Sequence, residues 1–218
     1  VTCVLGIDTA GPVVGACVVG HGEPRQWSAR VVRGADGVLL PAIADLLVPG
    51  MALDAVSVSV GPGAFTGLRV GVATALGIAV SRRVPVVCVS SLEARAEMCD
   101  GERILALLDA RKSRVYAQWF ARKSGTLEAV TDPVDLSLGE VLSPSLTAEP
   151  FLAVGEGAGL DPEAVASAGG RIVQGASESP AWAVALLGQQ RIHSALPAQE
   201  VALRYLRPAD AKKRSQAP

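Results

Sequence analysis

SVSVGPGAFTGLRVGVATALGIAV, Ser57 to Val80, holds the decision about the fold. An apolar, β-branched run reads as a buried strand. A turn rich in glycine and proline follows, and then a helical segment with little charge and little bulk. Glycines between a strand and a helix N-terminus can present backbone N–H groups to an anion. Here Gly61, Gly63 and Gly67 are spaced G-x-G-x-x-x-G, and no lysine follows Gly61 until Lys112. Neither the P-loop nor the dinucleotide fingerprint fits that spacing. A ligand loop around Gly61, Pro62, Gly63, Phe65, Thr66 and Arg69 stays open as a reading.

The helix carries a second signal. Leu68, Val72, Leu76 and Val80 are expected to face a sheet, while Gly67, Gly71 and Thr74 occupy another face, flanked by Val70, Gly77 and Ile78. Glycine inside a helix costs up to about 1 kcal/mol against alanine, so several on one face call for a closely approaching backbone. That backbone belongs either to another chain or to the second half of this one. An intermolecular helix–helix contact is the favoured reading, shared with Leu39 and Ile43 of the preceding helix.

Working outward, TCVLGI, VVGACVV and RQWSARVV read as three strands of an antiparallel meander ending at Val32. From Gly37 to Val48, Leu39, Ala42, Ile43 and Leu46 recur at helical spacing, with Asp36 as N-cap and Pro41 near the first turn. DAVSVSV (54–60) and VPVVCVS (84–90) are strands joined by the opening helix, and Ser90 with Glu93 has capping-box spacing. The first hundred residues thus read βββαβαβα. The second half repeats that order loosely, from RILALLDA and RVYAQWFA through PFLAVGE and RIVQGA to the helix after Ser179-Pro180. A duplicated α/β unit follows, with boundaries at 1–102 and 103–199 and a frayed tail, DAKKRSQAP.

Composition narrows the class. Of 218 residues, 50% are hydrophobic, 19% charged and only 4% aromatic, so the core must be aliphatic. A net charge of −1 gives no overall pull toward nucleic acid or an acidic membrane. Cys3, Cys17, Cys88 and Cys99 lack CxxC spacing and read as free thiols of a reducing compartment. The apolar start is broken by Asp8 and Pro12, no membrane span is evident, and a cytoplasmic location is expected.

Asp8-Thr9 ends the first strand, and Asp109 ends the strand that opens the second half. In actin-like and sugar-kinase-like phosphotransferases an acid at this place helps hold a nucleotide's magnesium, so an ATP-dependent phosphotransferase is the rival reading. Strand-end aspartates also cap turns. With only two histidines, His21 and His193, and no HExxH pair, no metal site is expected, and no GxSxG serine is present. ARKSRVYAQWFARK interleaves Arg111, Lys112, Arg114, Arg122 and Lys123 with Tyr116, Trp119 and Phe120. Such a pattern binds nucleic acid or, more commonly, buries its rings in a core.

Taken together, GIDTA (6–10), LLPAIADLL (39–47), GPGAFTGLRVGVATALGIA (61–79), VSSLEA (89–94), LLDARKSRVYA (107–117) and YLRP (205–208) resemble the bacterial TsaB (YeaZ) family, in family order across nearly the whole chain. The resemblance implies an α/β, actin-like (ASKHA) fold of two RNase H-like subdomains, with mixed sheets flanked by helices and residues 200–218 returning to the first. It implies a subunit without catalytic centre, metal or cofactor of its own, in the assembly that makes threonylcarbamoyladenosine on tRNAs reading codons that begin with A. Its implied partners are the TsaD transferase and the TsaE ATPase. ATP or ADP enters only at the level of the complex, tRNA is met indirectly, and the chain forms a homodimer when alone. Contact is expected through Gly67, Val70, Gly71, Thr74, Ile78, Leu39 and Ile43. Asp8, Thr9, Asp109, Arg111 and Tyr116 join the loop residues as ligand candidates. Two departures stand out: Ala35-Asp36-Gly37 replaces a His-Ser-Glu, and Lys112-Ser113-Arg114 is more basic than the family's usual sequence after Arg111.

Overall fold

Val4–Asp8 (β1) is buried at all five positions, as a strand covered on both faces must be. A computed structural model describes residues 2–31, 34–173 and 178–207. In it β1 is the centre of a five-stranded sheet with Val13–Val19 (β2), Arg25–Arg30 (β3), Ala55–Gly61 (β4) and Val86–Ser90 (β5), ordered β3-β2-β1-β4-β5. β1 pairs antiparallel with β2 through the short turn and parallel with β4, as the helical crossovers demand. The second sheet contains Arg103–Arg111 (β6), Arg114–Lys123 (β7), Thr126–Ala129 (β8), Phe151–Val154 (β10) and Gly170–Ile172 (β11), with Val134–Ser137 (β9) also on β7. Its order, β8-β7-β6-β10-β11, repeats that of the first, with the antiparallel hairpin on one side of β6 and parallel strands on the other.

Ala35–Leu46 (α1) and Phe65–Arg82 (α2) cover one face of the first sheet, around Leu5, Ile7, Leu39, Ile43, Val58 and Val72. Ser91–Glu97 (α3) begins as expected, with Ser90 Oγ accepting the Glu93 amide at 3.4 Å. Leu138–Val141 (α4) carries a complete Ser137–Glu140 capping box, and Asp161 caps Pro162–Ser167 (α5).

Several expectations need correction. α1 starts two residues earlier than expected, with left-handed Gly34 at its cap, so Asp36 lies within the helix. Pro41 is then mid-helix on the exposed side, where its missing N–H forgoes only the bond to the Gly37 carbonyl. Ala181–Gln190 (α6), expected within the unit 103–199, packs on the first sheet, among Val4, Cys17, Ala55, Val87 and Val89. The end of the third strand at Val32, part of RIVQGA and the DAKKRSQAP tail lie outside the described residues.

The face of α2 toward the sheet is Leu68, Val72, Ala75 and Ala79, and Val80 is 67% exposed. Steps of four residues overshoot a full turn by about 40°, so Val80 lies about 120° round from Leu68. Alternating steps of four and three hold one face, and alanines supply it. Among the described residues no helix is long and apolar enough to cross a membrane.

Candidate functional site

Gly67 and Gly71 face the turn that follows β1, not open space. A Cβ on Gly67 would sit 2.2 Å from the Thr9 carbonyl oxygen, and one on Gly71 would sit 2.1 Å from Thr9 Oγ1. Thr9 Oγ1 donates to the Gly67 carbonyl at 2.8 Å, and the Ala64 amide donates to the Ala10 carbonyl at 2.8 Å. A Cβ on Gly63 would meet Ala10 at 2.7 Å. The backbone that these small residues admit therefore belongs to the same chain, and Gly67 and Gly71 are corrected as partner contacts. Leu39 and Ile43, 0% and 2% exposed, are likewise core residues. Val70, Thr74 and Ile78 are half-buried along the flank of α2.

The outward face of α2 is instead Thr66, Arg69, Ala73, Gly77 and Val80, and space around Gly77 is open. On neighbouring α1, Val38 (40%) and Leu40 (52%) point to solvent together with Pro41.

Between the lobes the structure holds a buried ion cluster. Asp8, at the end of β1, has no solvent exposure. Arg95 of α3 reaches it at 3.5 Å and Glu156, two residues past β10, at 3.3 Å, while also donating to the Ser91 carbonyl at 2.9 Å. Burial by itself would pull the Arg95 pKa down. The charges and hydrogen bonds of Glu156 and Asp8 offset this, leaving it above its ordinary value. Gly11 completes the closure, since a Cβ there would lie 2.3 Å from Glu156 Oε1. A guanidinium thus stands beside the carboxylate that the rival reading assigns to magnesium. Sequence reading missed Arg95 and Glu156. The available signal was one arginine amid Leu92, Ala94 and Ala96, on a short helix whose other buried residues are small or apolar.

Asp109 does not join this cluster. It accepts the Arg111 amide at 2.7 Å and pairs with the Arg111 guanidinium at 3.3 Å, closing the β6–β7 turn. Tyr116 lies on β7 with its ring in the core of the second sheet, as do Trp119 and Phe120, so the hairpin's rings are buried. Gly61 is in a positive-φ conformation and precedes a cis peptide to Pro62. The Arg204 carbonyl oxygen lies 2.3 Å from the place of a Gly61 Cβ, and the Arg204 amide donates to the Val60 carbonyl at 2.8 Å. Next along that segment, Tyr205 stacks on Phe65 with ring centroids 5.1 Å apart. Arg69 lies over Phe65 at 3.9 Å and donates to the Tyr205 hydroxyl at 3.3 Å. Among the described residues no group of three His, Cys, Asp or Glu is arranged to hold a metal ion.

Two like-ordered sheets flanked by helices define the actin-like α/β class. YeaZ from Pseudomonas aeruginosa shares this fold with a TM-score of 0.79 at 24% identity, over 94% of this chain and 100% of that one. A second Pseudomonas aeruginosa structure, described as similar to peptidase YeaZ, gives 0.80 at 23% over 95% and 100%. The family model described as "TsaD: tRNA N6-adenosine threonylcarbamoyltransferase" matches residues 30–167, more than half of the chain. The chain belongs to this family, within its TsaB/YeaZ group. The tRNA threonylcarbamoyladenosine biosynthesis protein TsaB of Haemophilus influenzae is 32% identical over 127 residues, 55% of this chain and 54% of that protein. TsaB of Bacillus subtilis is 30% identical over 147 residues, 64% of each. An uncharacterized protein of Mycobacterium leprae is 38% identical over 153 residues, 64% of this chain and 42% of its own length. The chain spans about half the length of the first curated relatives it matches.

Proposed function

We propose that the chain is a non-catalytic partner subunit of the assembly that places threonylcarbamoyl on tRNA adenosine. It would support a TsaD-type transferase, with a TsaE-type ATPase joining. The observation that carries this reading is a closed ion cluster around Asp8 together with an open helical face, within a chain of this family. Arg95 and Glu156 fill the space between Asp8 and Gly11, where a nucleotide's magnesium and phosphates would need room. Meanwhile Val38, Leu40, Ala73, Gly77 and Val80 leave an uncharged, low-relief surface on adjacent helices, flanked by Val70, Thr74 and Ile78. Small side chains let a partner helix come close, and exposed aliphatics reward its arrival by burial. The same face serves a second copy of the chain when no transferase is present. Co-elution with a TsaD-type subunit tests the reading. Ala73→Arg is expected to abolish it while the thermal midpoint holds, and modified adenosine in tRNA, read by mass spectrometry, falls with it. Unchanged co-elution removes the interface. Calorimetric binding of Mg-ATP to the isolated chain, lost in Asp8→Asn, would install the phosphotransferase instead.

A further inference from the structure

Over its eighteen residues α2 carries two charges, Arg69 and Arg82, and no acid. Arg69 stands on the outward face, one turn before Ala73 and about 6 Å from it along the axis. Exposed arginines ordinarily sample many rotamers, but this one is held from two sides. Its Cζ lies 3.9 Å from the centre of the Phe65 ring, and its Nε donates to the Tyr205 hydroxyl at 3.3 Å. Tyr205 stacks on Phe65, and the chain on either side of it is tied down in turn. The Arg204 amide donates to the Val60 carbonyl, and Arg207 donates to the Ala110 carbonyl at 2.9 Å.

The fork end of the Arg69 guanidinium is left over. Among the described residues neither of its Nη groups meets a carboxylate or another acceptor. In water such a fork is fully solvated. A helix seated on Ala73 and Gly77 covers the guanidinium one turn away as well, and a cation desolvated without a counter-charge is strongly unfavourable. A surface that fits this face therefore brings an acceptor to Arg69, and a carboxylate matches the planar fork with two parallel bonds. Because the side chain is already ordered, pairing there forfeits little conformational freedom. A second copy of the chain has no acid on α2 to offer, since Asp36 and Asp45 belong to α1. RNA is gripped through several cations, whereas Arg69 is alone in a strip of Thr66, Ala73, Gly77 and Val80.

We infer that Arg69 is the anchor of the α2 face, receiving an aspartate or glutamate side chain from the partner helix that docks on Ala73 and Gly77. Phe65 and Tyr205 are its positioning residues. This deepens the proposed function, on whose interface it rests, by naming the chemistry the partner must bring.

Calorimetric titration of the chain with a TsaD-type subunit, repeated over a range of salt, is the test. Arg69→Ala should weaken binding at least about 30-fold and reduce its salt dependence, and Arg69→Lys should recover only part. Tyr205→Phe should weaken binding about 2- to 10-fold in the parent and not at all in Arg69→Ala, a coupling that a merely structural phenol would not produce. Replacing the subunit's exposed acids one at a time by Asn or Gln should find one whose loss matches Arg69→Ala and adds nothing to it. Arg82→Ala, about 20 Å along α2, is the charge control and should change binding less than about twofold. If Arg69→Ala lowers the thermal midpoint, Arg69→Gln, which keeps a donor for the Tyr205 hydroxyl, takes its place. A loss of less than about threefold is what an ordinary exposed arginine gives, and would overturn the inference. Equal loss in Arg82→Ala, or a subunit in which no single acid reproduces the effect, overturns it too. So does weaker self-association with subunit binding intact, which would assign Arg69 to Asp36 or Asp45 of a second copy. Weaker binding of a labelled tRNA transcript with subunit binding intact would assign it to RNA and overturn it likewise. Ala73→Arg abolishing co-elution while Arg69→Ala leaves the affinity whole defeats this inference alone. Both variants binding like the parent defeats the proposed interface itself.

Discussion

Arg95→Met removes the one charge that makes the interlobe cluster tolerable. Arg95 is 3% exposed, Asp8 0% and Glu156 16%, with contacts of 3.5 and 3.3 Å. At an effective dielectric near 20, each contact is worth about 5 kcal/mol of gross attraction, much of it offset by desolvation. Methionine keeps most of the volume, so packing changes little. What remains is a fully buried carboxylate with no counter-charge, and breaking a buried pair in this way costs about 3–5 kcal/mol. In a chain of this size that corresponds to a fall of about 6–20 °C in thermal midpoint. The triple variant Arg95→Met, Asp8→Asn, Glu156→Gln carries no buried charge and should recover most of the loss. Urea unfolding of the parent, single and triple variants supplies the comparison. A loss below about 1 kcal/mol in Arg95→Met, or a triple variant as weak as the single, would refute the electrostatic account.

The glycines of α2 offer a paired test. Gly71→Ala should destabilise by about 1–3 kcal/mol, because its Cβ collides with Thr9 and outweighs alanine's helix preference. Gly77→Ala, in open space, should stabilise by about 0.5–1 kcal/mol, and equal effects at the two sites would contradict the packing. Burial pushes the Cys17 and Cys99 thiols up to about 11 from 9.0. Between those values the folded state binds more protons than the unfolded, so stability falls as pH rises, by about 2 kcal/mol per thiol near pH 10.5. Urea midpoints in reducing buffer at pH 8 and 10.5 should therefore diverge less in Cys17→Ala with Cys99→Ala. An undiminished divergence would place the alkaline loss elsewhere.

The order of strands and helices could be read from the chain because it rests on local periodicity. β1 is apolar up to Asp8, β4 alternates valine with small buried serines, α1 repeats at three and four, and Ser90, Ser137 and Asp161 cap the helices they precede. The family, too, was legible in contiguous motifs. Which face of α2 meets what was not. Spacing revealed that Gly67 and Gly71 admit a backbone, but Thr9 lies 58 residues from Gly67, and only the parallel β1–β4 pairing brings it there.

The same reason governs the rest. Arg95 and Glu156 are ordinary charged residues in sequence, and 61 positions separate them. Tyr205 lies 136 positions from Arg69, whose side chain it meets, while the rings of β7 turn inward. Propensity, capping and periodicity act within a few turns of chain, so the sequence by itself determined the elements and their order. Ion pairs and ring stacks form between groups that folding makes neighbours, and only the tertiary structure decided which charges are sealed between the lobes and which stand at the surface.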